Sequence, residues 1–172
     1  MDRLAENING VIEICHYATS LALLIQDGNV EVTVPRLSRR TPYYFLRGLC
    51  ADQKPIGIWV FFYGDKYLEK PHPNQPMLEI TFNRKGEPHG MIKTYFENGL
   101  SQCIMNCRDG KLDGEIVVWS REPHEKVIVG QYEDGDTKGT WTLKEKETGL
   151  VRVLENFTNQ ENADAEKFHR LH

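Results

Sequence analysis

Short apolar and β-branched runs alternate along this chain with charged, glycine-bearing turns. Three stretches share one layout. Phe82-Asn83-Arg84-Lys85-Gly86-Glu87-Pro88-His89-Gly90 leads into Met91-Ile92. Cys107-Arg108-Asp109-Gly110-Lys111-Leu112-Asp113-Gly114 leads into Glu115-Ile116-Val117-Val118-Trp119. Tyr132-Glu133-Asp134-Gly135-Asp136-Thr137-Lys138-Gly139 leads into Thr140-Trp141-Thr142-Leu143. In each, a polar turn holds one glycine, three residues follow, and a second glycine opens the apolar run. The second glycines stand at 90, 114 and 139, with steps of 24 and 25 residues. A fixed period of this size marks a repeat array.

The residues of one unit predict a β-hairpin. Gly86, Gly110 and Gly135 occupy turn positions that need a positive φ, which glycine adopts at little cost. Asp109-Gly110 and Asp134-Gly135 are strong hairpin-turn pairs. The second glycine opens the returning strand, where a missing Cβ permits a bulge or close backbone approach. A lone hairpin cannot bury its apolar face, but several in series form a continuous curved sheet.

A degenerate earlier copy runs from Cys50 to Gly57 and into Ile58-Trp59-Val60-Phe61-Phe62-Tyr63. Gln53 replaces its first glycine. The 33-residue step from Gly57 to Gly90 contains a proline-rich insertion, Lys70 to Pro76, which is expected to stay out of a central strand. A further turn follows each unit, at Gly64, Gly99 and Gly149, with Pro123 in the equivalent place of the third copy. Trp59, Phe61 and Tyr63 share one face of their strand, with Val60 and Phe62 on the other. That strand is expected to be buried on two sides or to form part of an interface. Trp119 and Trp141 are expected to stack in the core between neighbouring units.

The flanks differ. Leu4, Ile8, Val11, Ile12 and Cys15 fall at helical spacing over residues 3–18, while Val11 to Ile14 also suits a strand. Leu21 to Ile25, Asp27-Gly28 and the alternating Val30, Val32 and Val34 read as a hairpin that caps the sheet edge. Beyond Asn156 the chain turns polar and reads as a short helix, capped by Asn159 or Asn162, or as a disordered tail. The expected organisation is a cap over 1–44, a repeat sheet over 45–155 and a polar tail over 156–172.

These residues resemble the MORN-repeat variant family, whose pattern is a Gly-x-x-x-Gly hairpin turn, an aromatic-bearing strand and a second turn near Asn-Gly. Glu97-Asn98-Gly99-Leu100 after Tyr95-Phe96 matches it well. The resemblance covers residues 45–150 in four copies. It implies a mainly β fold, a curved antiparallel sheet of successive hairpins. It also implies the role of a bacterial antitoxin or immunity protein that binds a cognate toxin and occludes its active site. Ordinary MORN repeats occur in scaffolds and membrane-associated proteins, so the alternative is a scaffold for a protein or anionic lipid. The chain departs from the ordinary form: the aromatic position holds Trp59 and Trp141 but Ile92 and Ile116 between them.

Composition narrows the picture. The 172 residues are 40% apolar and 27% charged, values that suit a folded protein. The net charge of −4 argues against a general nucleic-acid binder, which carries a basic footprint. Acids at Asp2, Glu6 and Glu13 do not fit a signal peptide, and the apolar run Leu21 to Ile25 is too short to span a membrane, so a cytoplasmic location is expected. The cysteines Cys15, Cys50, Cys103 and Cys107 lack zinc-ligand spacing and are expected to be buried free thiols. No nucleophile elbow, P-loop, dinucleotide fingerprint or His-Glu-x-x-His motif occurs, so neither an enzyme nor a bound cofactor is expected. Two charged patches are candidate partner contacts. Arg36, Arg39 and Arg40 form a local basic cluster near Arg47. Glu133, Asp134 and Asp136 crowd one turn, where an immunity protein would meet a positively charged toxin site. Each patch also has the composition of a solvated loop or turn.

Overall fold

The computed structural model describes residues 27–34, 44–64, 71–120 and 126–154. Within them every regular element is a strand: β1 (Gly28–Val34), β2 (Tyr44–Ala51), β3 (Lys54–Gly64), β4 (Pro71–Phe82), β5 (Pro88–Tyr95) and β6 (Ser101–Arg108). Then come β7 (Lys111–Leu112), β8 (Gly114–Trp119), β9 (Lys126–Glu133), β10 (Asp136–Glu145) and β11 (Val151–Leu154). They form one open antiparallel sheet in chain order, with the short β7 branching off to pair with β6. The expected β architecture is therefore present. β1, from the segment read as a cap, belongs to the same sheet through pairs such as Val30↔Gly48.

The turns explain the order. Asp52 and Gln53 both have positive φ (51° and 57°), as do Asp109 and Gly110 (48° and 85°) and Asp134 and Gly135 (55° and 97°). Two successive positive φ values define the tight I′ turn, whose twist matches that of paired strands. Gln53 adopts this backbone without glycine's freedom. The second glycines, Gly57, Gly90, Gly114 and Gly139, also have positive φ. The pairing register shifts around Gly57, Gly90 and Gly139. Each hairpin thus turns and then bulges at a fixed place, which bends the sheet.

Two parallel ladders of side chains cross the sheet, one on each face. The inner ladder runs Leu46–Phe61–Leu78–Thr94, then Cys103–Val118–Ile128–Leu143. A neighbouring inner row brings Trp59 opposite Ile80, Ile80 opposite Ile92, and Ile92 opposite Met105. These residues form one continuous core, in which Leu46, Trp59, Ile80, Cys103 and Ile116 are fully buried.

Each buried tryptophan lies on bare backbone. A Cβ at Gly48 would fall inside the indole of Trp59, and one at Gly130 would fall inside that of Trp141. Both glycines precede their tryptophan by 11 residues. In the middle repeats Ile92 lies instead opposite Ile80 and Met105, both of which carry side chains. The large ring occurs where the opposing residue has no side chain, and isoleucine where it has one. The Trp59 indole N–H donates to the Leu49 carbonyl at 3.0 Å. Edge-on rings complete the packing, with Trp59–Phe82 centroids 6.1 Å apart and Tyr132–Trp141 centroids 5.4 Å apart.

Two expectations need correction. The proline-rich stretch is not excluded from the sheet: β4 begins at Pro71, and Phe62 pairs with Pro76. It is tolerated because β5 pairs with β4 only from Leu78 onward, so the prolines occupy an edge-like segment, and the register to β3 breaks on either side of Phe62. Trp119 does not join Trp141 in the core. Val118, not Trp119, continues the inner ladder, so the Trp119 ring projects from the opposite face. The expected helix over residues 3–18, the Leu21–Ile25 arm and the tail after Asn156 lie outside the described residues.

Gly130→Ala should destabilise the fold by about 3 kcal/mol, the upper end of ordinary overpacking, because the indole of Trp141 cannot yield without leaving its core position. Adding Trp141→Ile should recover part of the loss in urea unfolding, as this reproduces the solution used by the middle repeats. Thr94 is 7% exposed and its hydroxyl has no hydrogen-bond partner among the described residues. Thr94→Val should raise stability by about 1 kcal/mol in the same measurement, since a buried unpaired hydroxyl retains its desolvation cost.

Candidate functional site

The turns at Asp52-Gln53, Asn83–Glu87, Asp109-Gly110 and Asp134-Gly135 emerge at one end of the sheet, where neighbouring turns bond to one another. The Gly110 N–H donates to the Pro88 carbonyl at 2.8 Å, and the Gly135 N–H donates to the Leu112 carbonyl at 2.8 Å. Side chains add a second tie from each hairpin to the next. Asp27 Oδ1 accepts the Gln53 N–H at 3.2 Å, and Asp113 Oδ2 accepts the Asp134 N–H at 3.4 Å. His89 Nδ1 takes the same position one hairpin earlier, 3.4 Å from the Asp109 nitrogen and 3.1 Å from Asp109 Oδ1. Unprotonated, this nitrogen accepts from the Asp109 N–H; protonated, it donates to the carboxylate.

Asn83 organises the turn that lacks an Asp-Gly pair. Its Oδ1 accepts the N–H groups of Lys85 (2.8 Å) and Glu87 (3.1 Å). Its Nδ2 donates to the carboxylates of Glu87 and Asp109, each at 3.1 Å. One side chain thus closes its own turn and ties it to the next.

Ion pairs decorate this rim. Lys111 Nζ lies 2.8 Å from Asp134 Oδ1, Arg108 pairs with Asp113, and Lys138 pairs with Glu133. The Arg108 hydrogen bond holds the Asp113 carboxyl below the usual carboxylate range. The turn bearing Glu133, Asp134 and Asp136 does not present bare negative charge. Instead Glu133 and Asp134 each carry a lysine, so the surface is an ordered alternation of charge. Asp136 opens β10 beside them. Arg36, Arg39 and Arg40 lie outside the described residues.

The outer face of the sheet carries its own ladder: Glu31–Arg47–Val60–Glu79–Lys93 in the first half, then Ile104–Val117–Val129–Thr142–Val153. In the first half, opposite charges face each other across strands, Glu31 with Arg47 and Glu79 with Lys93. Arg47 also stacks over the Phe62 ring at 5.1 Å and Lys93 over Tyr95 at 5.2 Å. Partial burial, with the Glu79 carboxylate accepting its hydrogen bond, pushes the Tyr95 phenol up to about 12. Phe62 is buried on this face but Ile58 beside it is 64% exposed, so β3 is apolar on both sides and covered only in part on the outer one.

Cys50, Cys103 and Cys107 are buried free thiols. Burial pushes Cys103 up to about 12 and Cys107 up to about 11. Among the described residues no three of His, Cys, Asp and Glu gather as a metal ion would require, and no helix is long and apolar enough to cross a membrane. Comparisons of the chain with family models, curated proteins and solved structures find no match.

Sequence reasoning located the turns but missed their mutual bonds. The available signal was the recurrence of a polar side chain just before or after each second glycine: His89 and Asp113 flank Gly90 and Gly114.

Asn83→Ala removes all four of its bonds and should cost about 1–2 kcal/mol in thermal or urea unfolding, the scale of losing a polar cap. Cys50, Cys103 and Cys107 should resist iodoacetamide at pH 8 until the chain is unfolded. An unfolded thiol ionises near 9, whereas Cys103 and Cys107 in the fold stay protonated to about 12 and 11. The unfolded state therefore binds fewer protons above pH 9, and stability should fall with rising pH between 9 and 11. Replacing Cys103 and Cys107 by alanine should flatten that slope.

Proposed function

We propose that this protein is a binding protein of the antitoxin or immunity type, which neutralises a cognate protein toxin by covering its active site or substrate entrance. The observation that supports this reading is the stacked row of turns. Main-chain bonds hold its charged side chains in a fixed order, so a partner meets a preorganised surface and little ordering entropy is lost on binding. Alternating lysine and carboxylate groups can steer and select a partner of complementary charge. The turn at Glu133, Asp134 and Asp136 remains the proposed centre of contact, presenting ion pairs and Asp136 together. Occlusion asks nothing more of the surface than shape and charge.

A scaffold for a protein or an anionic lipid is the second reading, and it rests on Arg36, Arg39 and Arg40. Salt-sensitive co-sedimentation with phosphatidylserine vesicles, without protection against any toxin, would select it.

The test is co-expression with the product of the adjacent gene. That product should arrest growth alone and be tolerated with this protein present. Reversing the charges of Glu133, Asp134 and Asp136 to lysine should weaken the isolated complex by 10-fold or more, mainly through slower association at low salt. A non-toxic neighbour, or a toxic one that does not bind, contradicts the proposal.

A further inference from the structure

We propose that the turn at Asn98-Gly99 is a site of spontaneous covalent modification, at which the Asn98 side-chain amide is lost and an aspartate or isoaspartate takes its place. This turn joins β5 to β6 at the end of the sheet away from the stacked turns, since β5 runs from Pro88 to Tyr95 between them. Glu97, Asn98, Gly99 and Leu100 are all exposed there. The Phe96 N–H donates to the Leu100 carbonyl at 2.8 Å, and the Gly99 N–H donates to the Phe96 carbonyl at 2.9 Å. Asn98 Oδ1 accepts the Leu100 N–H at 3.0 Å.

Three features of this turn favour attack of the Gly99 nitrogen on the Asn98 side-chain carbon, Cγ. The two atoms belong to adjacent residues, so their bonding closes a five-membered ring and no second molecule has to be ordered. The negative charge that develops on Oδ1 during attack falls on an atom that already accepts the Leu100 N–H, a fixed donor. Glycine leaves the attacking nitrogen unscreened, and beyond its chain neighbours no atom lies within 4 Å of where a Cβ on Gly99 would stand. The N–Cγ bond forms, the Cγ–Nδ2 bond breaks, and ammonia leaves with the proton of the Gly99 nitrogen. Water then opens the succinimide. Addition at Cγ gives aspartate; addition at the Asn98 main-chain carbonyl carbon gives isoaspartate, whose chain continues through Cβ and Cγ. The Gly99 N–H bond to Phe96 must open first. That slows the reaction relative to an unfolded chain without stopping it, because a single exposed turn bond opens at small cost.

A second turn at this end shows what the fold asks of Asn98. In Glu147-Thr148-Gly149-Leu150, Thr148 Oγ1 accepts the Leu150 N–H at 3.2 Å, and the Glu145 N–H donates to the Leu150 carbonyl at 2.9 Å. Both turns read Glu-x-Gly-Leu, and the side chain at x supplies an oxygen for the leucine N–H. Threonine meets that need with no amide to lose. Aspartate at 98 meets it too, so this product leaves the turn closed. Isoaspartate adds a backbone atom between Phe96 and Leu100 and displaces the acceptor. Asn83, Asn106 and Asn29 lack the combination, since Arg84, Cys107 and Val30 follow them. Asn9-Gly10 repeats the pair outside the described residues.

Incubation of the full chain at mildly alkaline pH, followed by fragmentation mass spectrometry and an isoaspartate methyltransferase assay, tests this. Asn98 should gain the mass difference between an amide and an acid, faster as pH rises, and ahead of Asn29, Asn83 and Asn106. Asn98→Thr, which copies the turn at Thr148, should show no such gain at position 98 while keeping the parent's circular dichroism and urea midpoint. A parallel incubation in urea sets the rate for the unfolded chain. Asn98 left intact in the folded chain, long after the unfolded chain has been fully converted, overturns the proposal. Conversion of Asn83 or Asn106 in the folded chain as fast as Asn98 overturns it as well. Asn9 is read separately in the same spectra. Neither outcome bears on toxin binding, which uses the turns at the opposite end.

Discussion

A strand has only two faces, and a slip of one residue exchanges them; the whole structure depends on preventing that slip. The glycines do so. A tight turn ending on a positive-φ residue starts each Gly-x-x-x-Gly-type hairpin, and a positive-φ glycine four residues later absorbs one bulge. Because this pair of events recurs with nearly constant spacing, Leu46 and Leu143 belong to the same inner ladder although six strands lie between β2 and β10 along the sheet. Outer residues stay in step in the same way, from Glu31 to Val153. The core follows from phase, since side chains that each repeat contributes separately become one buried row only when all repeats bulge alike.

The tryptophans show what that phase makes possible. An indole needs an area of backbone without side chains, and a glycine 11 residues earlier provides it for both Trp59 and Trp141. Where Ile80 and Met105 stand opposite Ile92, the ring position holds isoleucine. What the sequence presented as a departure from the repeat pattern, Ile92 and Ile116 in place of an aromatic, is a volume compensation between adjacent strands. The sheet keeps similar packing with different residues, a form of the tolerance expected when total volume is conserved.

Much of this fold was legible from spacing, because turns and bulges are local: Asp109-Gly110 specifies its backbone whatever surrounds it. Properties that depend on a strand's neighbours were not legible. The prolines of β4 looked incompatible with a sheet, yet a missing partner on one side makes them acceptable. Trp119 looked like a core residue because it follows an apolar run, but an apolar run does not reveal which face is covered. The acidic turn at Glu133 and Asp134 has only Lys138 near it in sequence, because Lys111, the partner of Asp134, lies 23 residues away. A linear sequence shows charge composition, while pairing appears only once hairpins stack.

The two faces and the turn end divide the molecule's surfaces by chemistry. Inner side chains are committed to stability, the stacked turns hold charge in a rigid order, and the outer face mixes paired charges with exposed apolar side chains. The phase of the ladders underlies all three. Cross-strand nuclear Overhauser effects between backbone protons in solution measure it most directly. The account predicts that Glu79 faces Lys93, Lys93 faces Ile104, Ile104 faces Val117 and Val117 faces Val129. Ile104 facing Val118, or sequential contacts of helical type anywhere between Leu78 and Leu143, would contradict it.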